Sequence, residues 1–284
     1  MRERGRPLKA TTGARPGWSL AAFFLLACAI SWADWGLVMA SERGWLPLRV
    51  PLNPWGSFGP AIAAVIVSAS QAGWSGLREL FKPILRWRFG PGRWAVVLLG
   101  PAALVALSVG VHAIAGGQVL PARPVGFAQF ALLAVVLLFV GGPVGEEIGW
   151  RGYALPRLLE RTGPVAASLV VAGMWAVWHL PLFWLPGATQ AGSSIPLFVA
   201  MVVAFSILTT WVYVATSGSL LAAVLFHHSI NLSTFFLPSV FPALQSSRGY
   251  SRIFLLVTWV AAGLAILHMS RQARARAAGP GVVA

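Results

Sequence analysis

Eight apolar runs, each about long enough to cross a roughly 30 Å hydrocarbon layer as a helix, limit what this chain can fold into. They cover residues 18–40, 55–72, 94–115, 127–144, 165–185, 195–216, 220–237 and 253–269. Lipid offers no partner to a backbone N–H or C=O, and the runs show no period-two alternation, so helices rather than a barrel satisfy the backbone. Of 284 residues, 57% are hydrophobic and 10% charged, which excludes the ordinary soluble classes. The expected fold class is all-α, a polytopic transmembrane bundle of about eight helices. A basic segment at 1–17 precedes one helical domain at 18–270, and an Arg/Ala/Gly-rich tail at 271–284 is expected to be disordered.

The net charge of +14 would point to nucleic acid in a soluble protein, but its distribution along the chain excludes that partner here. All Lys and Arg residues except Arg43, Arg49, Arg123, Arg248 and Arg252 fall on one side if the N-terminus is inside. By the positive-inside rule both termini are cytoplasmic, and the basic surplus serves topology and contact with the anionic lipid bilayer. The run at 18–40 leads into "SWADWGLVMASERGW" instead of a small-residue cleavage site, so it is expected to be a retained helix. Cys28 is the single cysteine, which rules out an internal disulfide. Residues 74–89, "WSGLRELFKPILRWRF", fit either an interfacial amphipathic helix or an ordinary basic loop.

Against this background two adjacent acids, Glu146 and Glu147, stand in "GGPVGEEIGWRGYALPRL". An ionisable side chain at mid-membrane costs on the order of 3 kcal/mol, so such residues default to functional hypotheses. Glu147 and Arg151 are at i and i+4 with the acid first, the favourable order for an ion pair. Glu146 points about 100° away and has Trp150 four residues ahead, so its partners must come from other helices. Gly141, Gly142 and Pro143 can kink the helix just before it.

His179 and His227 lie inside other apolar runs, and Asn231 follows His227 at i+4 on the same face. From the inner ends of their runs, Glu146 lies roughly 18 Å deep, His179 roughly 20 Å and His227 roughly 10 to 15 Å. Three antiparallel helices can thus bring a carboxylate, two imidazoles and an amide into one polar cavity open to the cytoplasm. His112 and His268 are expected to be packing residues, and His228 lies off the Asn231 face.

A carboxylate with two imidazoles suits two designs. One is a divalent metal such as Zn held by Glu146, His179 and His227, with a position open for water; the other is metal-free, with Glu and His activating water directly. Both lead to hydrolysis. Asn231 adds an amide donor for an oxyanion or a weak oxygen ligand. No GxSxG and no HExxH competes, and Asp34 is the only aspartate.

In this order, EExxxR (Glu146, Glu147, Arg151), an aromatic four residues before a histidine (Trp175, His179) and HxxxN (His227, Asn231) resemble the CAAX prenyl endopeptidase type 2 and bacteriocin-processing family. These intramembrane proteases are also called the Abi family, and the resemblance covers about 127–237. It implies catalysis by Glu146, His179, His227 and Asn231. Glu146 with His179 would activate water, and His227 with Asn231 would stabilise the oxyanion or complete a metal site. Glu147 and Arg151 would hold the architecture. The family includes metalloproteases and metal-independent glutamate proteases, so the resemblance implies either one divalent metal or none. Trp175 stands where the family usually has Phe. The implied substrate is a membrane-associated peptide or protein, prenylated in the CAAX case, and the implied location is a bacterial cell membrane. Two other classes fit the same residues: a non-enzymatic scaffold or bacteriocin-immunity factor using the cavity, and a proton-coupled transporter, which lacks support from repeat symmetry.

Overall fold

Prolines open most of the helices, at positions where the missing N–H would have had no partner within the helix. The computed structural model describes residues 16–119, 125–245 and 247–277. Its helices are α1 (Pro16–Glu42), α2 (Gly59–Phe81), α3 (Pro91–Ile114), α4 (Phe127–Phe139), α5 (Pro143–Glu147), α6 (Leu155–Leu159), α7 (Pro164–Trp178), α8 (Ile195–Ala215), α9 (Leu220–Val240), α10 (Pro242–Gln245) and α11 (Arg248–Ala277). Proline occupies one of the first two positions of α2, α3, α5, α6, α7 and α8. A π-helical stretch, Ile148–Ala154, joins α5 to α6, and Leu155 N–H accordingly donates to the carbonyl of Trp150, five residues back. There is no strand among the described residues.

Among the described residues, six helical segments are long and apolar enough to cross a membrane: Ser19–Glu42, Pro91–Ile114, Phe127–Leu159, Ile195–Ala215, Leu220–Leu237 and Arg248–Ala275. The chain is an integral multi-pass membrane protein. All eight apolar runs are helical, but two do not meet that standard. Helix α2 breaks at Ala72 and Gly73, where Gly73 takes φ 55°, and it then carries Arg78 and Glu79. Helix α7 has 15 residues, about 22 Å. The run at 127–144 is likewise broken between Phe139 and Pro143, with Gly142 at φ 100°, a value open to glycine. Residues 74–89 form the second half of α2 and the turn Lys82–Leu85, with Trp74 and Trp87 exposed. In the expected disordered tail, residues 271–277 continue α11 as helix. The basic segment at 1–15, Arg123 and residues 278–284 lie outside the described residues.

Helix α1 packs on α2, α3 on α9, and α7 on α8, while α11 lies against α8 and α3. Phe23, Ala27, Trp35 and Val38 place α1 in the main core beside Trp150, Tyr153 and Trp178. Hydrogen bonds fix that docking. Trp32 Nε1 donates to the Trp178 carbonyl at 2.9 Å, and Trp178 Nε1 donates to Ser31 Oγ at 2.7 Å. Ser31 Oγ in turn donates to the Gly56 carbonyl at 2.6 Å, while Gly56 N–H donates to Asp34 at 3.1 Å. The loop entering α2 is thereby tied to α1.

Two glycines four apart let α5 and the π-helical stretch press against the start of α2. A Cβ on Gly145 would lie 2.5 Å from the Ser57 carbonyl oxygen, and one on Gly149 would lie 2.5 Å from Pro60 Cβ and 2.7 Å from its carbonyl carbon. Small residues at this spacing allow backbones to approach closely inside membranes. Because the obstacle is backbone, it cannot swing aside. Gly149→Ala is expected to destabilise the protein by about 1–3 kcal/mol, read as a lower thermal midpoint of the purified chain in detergent. Gly163→Ala, where a Cβ meets nothing within 4 Å, serves as the control with little change.

Candidate active site

With one face of α5 committed to α2 through Gly145, Glu146 and Glu147 project toward α7 and α9. Glu147 is fully buried, and its Oε1 accepts from Arg151 Nη1 at 2.8 Å. The same oxygen accepts from His227 Nδ1 on α9, also at 2.8 Å. Arg151 is fully buried too; its Nη2 donates to Ser206 Oγ at 3.3 Å, and that hydroxyl donates to the Ser168 carbonyl at 2.9 Å. The ion pair thus ties α5 and the π-helical stretch to α7, α8 and α9. Glu147 Oε2 and Arg151 Nε are buried without a hydrogen-bond partner.

Glu146 finds its partner on another helix: Trp175 Nε1 on α7 donates to its Oε2. Its other oxygen lies against Gly142, in the space a Cβ would occupy. The positive φ of Gly142 and its missing side chain both make room for the carboxylate. Asn231 closes this corner, its Nδ2 donating to the Gly141 carbonyl at 2.9 Å. One amide hydrogen of Asn231 is thus taken by the backbone at the break before α5.

His179 sits at the C-terminal cap of α7 because Pro181, two residues on, cannot continue the helix. The run expected to span 165–185 therefore ends at Trp178, and His179 lies at a helix end. Its Nδ1 is 2.8 Å from the Trp175 carbonyl. A carbonyl only accepts, so Nδ1 carries the hydrogen and Nε2 of the neutral ring keeps its lone pair. In His227, Nδ1–H on Glu147 leaves Nε2 free by the same reasoning.

Trp175 is the hub. Its ring lies 5.8 Å from His179, 5.3 Å from His227 and 5.0 Å from the Arg151 guanidinium, while its N–H holds Glu146. All seven residues singled out in the sequence gather around this point. Glu146, His179 and His227 are 4–7% exposed, so the site is buried where an open cavity was expected, and neither cavity found at the α3–α8 end of the bundle is lined by them. Among the described residues, Glu146, His179 and His227 do not close into a group of three donors able to hold a metal ion. His112 packs edge-on to Tyr250, and His268 accepts from Trp211. His228 Nδ1 is buried with no hydrogen-bond partner.

Sequence reasoning missed Ser206 and the aromatic wall of His179, formed by Trp178 at 4.7 Å and Phe198 at 5.0 Å. Nothing in single-sequence pattern distinguishes these from packing residues. The Gly145-x-x-x-Gly149 spacing was legible and would have located the close crossing with α2.

The chain is thus a multi-pass helical protein with a buried glutamate and two histidines arranged around one indole. Residues 128–233 match the model of a family described as Rce1-like, type II CAAX prenyl endopeptidase. The chain is also 30% identical over 146 residues to a CAAX prenyl protease 2 of Methanococcus maripaludis, covering 49% of this chain and 54% of that relative. It spans about half the length of the relative it matches.

Removing the cation strands a buried carboxylate. Arg151→Met is expected to destabilise the fold by about 3–5 kcal/mol, whereas Ser206→Ala, which removes one hydrogen bond, should lose about 1 kcal/mol. Thermal midpoints and folded yield in detergent separate the two.

Proposed function

We propose that this chain is an intramembrane endopeptidase of the CAAX prenyl protease type, hydrolysing a peptide bond of a membrane-associated peptide or protein. The supporting observation is the meeting of one carboxylate and two imidazoles at Trp175, each imidazole tethered through Nδ1 with Nε2 unengaged. The family of the core and the name of the relative support the same reaction class.

In this mechanism Glu146 takes a proton from water, with His179 Nε2 accepting the water's second hydrogen bond and orienting it toward the scissile carbonyl carbon. The Trp175 N–H holds the carboxylate in place. As the carbonyl oxygen gains charge, the second amide hydrogen of Asn231 donates to it, with His227 beside the developing charge and its Nδ1–H staying on Glu147. The proton on Glu146 then passes to the departing amine. Glu147 and Arg151 act by fixing His227 and the helix that carries Glu146. No step is routed through a metal, since Glu146, His179 and His227 form no group of donors able to hold a metal ion among the described residues.

Glu146→Gln keeps an oxygen for the Trp175 N–H and removes the proton acceptor. Cleavage of a membrane-peptide substrate, identified by comparing peptide termini in cells expressing the two proteins equally, should fall about 10²–10⁴-fold while the variant stays folded. Undiminished cleavage by folded Glu146→Gln would falsify the assignment. Activity should also persist in a divalent-metal chelator; loss in chelator with recovery on adding Zn would overturn the metal-free route.

A further inference from the structure

Away from this site, the bundle end that holds the start of α3 and the end of α8 carries two adjoining cavities. The first, of about 530 Å³, is walled by Arg86, Arg88, Arg93, Trp87 and the turn Thr216–Ser217, with no acidic residue in its lining. The second, of about 470 Å³, shares Arg93, Thr216 and Ser217 with the first and extends over Val96, Val97, Trp211 and Val212 to His268 and Gln272 on α11.

The arginines are held in place by backbone and ring contacts. Arg86 Nη1 donates to the Ser217 and Gly218 carbonyls at 2.8 and 3.3 Å, and Arg93 Nη1 donates to the Phe89 carbonyl at 2.9 Å. Arg88 lies 4.9 Å over the Trp87 ring. The turn that receives Arg86 is itself strained: Ser217, at φ 57°, is the one non-glycine residue with positive φ among the described residues. Left-handed backbone at a β-carbon-bearing residue persists where surrounding structure enforces it, and it clusters at ligand sites. All three guanidinium groups retain N–H donors beyond these bonds.

We propose that the adjoining cavities form a site for an anionic phospholipid, with the phosphate among Arg86, Arg88 and Arg93 and an acyl chain along the valine-lined wall of the second cavity toward Trp211. Charge complementarity selects an anion, and guanidinium forks match phosphate oxygens. The adjoining cavity, whose wall between α3 and α8 carries Val96, Val97, Trp211, Val212 and Val214, selects a lipid over a free phosphate. The arginine-rich end is the side that the positive-inside rule assigns to the cytoplasm, where anionic headgroups lie.

The test uses the full purified chain in detergent with phosphatidylglycerol as probe, its retention read by native mass spectrometry against phosphatidylcholine. Arg88→Gln combined with Arg93→Gln should lower phosphatidylglycerol retention about tenfold or more. Arg271→Gln with Arg274→Gln removes equal charge on the nearby C-terminal part of α11 and should change it less than twofold. Glycerol 3-phosphate at the same concentration should not displace the lipid. Equal loss in both double variants, or none in the first, overturns the proposal. Displacement by glycerol 3-phosphate also overturns it, in favour of a soluble-phosphate site. Arg86 is left intact throughout because it also anchors the Ser217 turn.

Discussion

A carboxylate and a guanidinium with no solvent exposure, Glu147 and Arg151, set the terms for the rest of this bundle. Either charge alone would be prohibitive at that depth, and together they are tolerable only with further hydrogen bonds around them. Those bonds reach α9 through His227, α8 through Ser206 and, by way of the Ser206 hydroxyl, α7 through Ser168. Four separate stretches of chain are therefore held to one register by the need to satisfy one ion pair.

That register decides what Glu146 can meet. With Gly145 and Gly149 pressed on α2 and Glu147 occupied, the remaining acid has Trp175 as its donor. The two carboxylates, adjacent in sequence, thus have separate surroundings: Glu147 is ion-paired, whereas Glu146 is held by an uncharged N–H and is the base of the proposed reaction. The same indole faces both imidazoles, so one side chain sets the spacing of the proposed reacting groups. An indole donor is absent from phenylalanine, so Trp175 gives Glu146 a tether that a phenylalanine at this position would not supply.

The arginine-rich end follows a different logic. There the cations face solvent or headgroups, and backbone carbonyls hold their forks without neutralising them. The buried Glu147–Arg151 charges are paired, while Arg86, Arg88 and Arg93 have no acidic residue beside them in the cavity lining.

The sequence by itself determined the membrane class and the helical backbone and marked the ionisable residues of the candidate site, because apolar length and the cost of charge in hydrocarbon leave few alternatives. It also determined the Glu147–Arg151 pair, a local i, i+4 relation. Tertiary structure alone decided that His227 bonds to Glu147, that Trp175 bonds to Glu146, and that Asn231 clamps Gly141, since each joins residues at least 29 positions apart. It likewise decided where runs break. Apolarity marks how long a segment stays in lipid, but the breaks at Gly73, Gly142 and Pro181 depend on backbone angles and lost N–H donors, which hydropathy does not register.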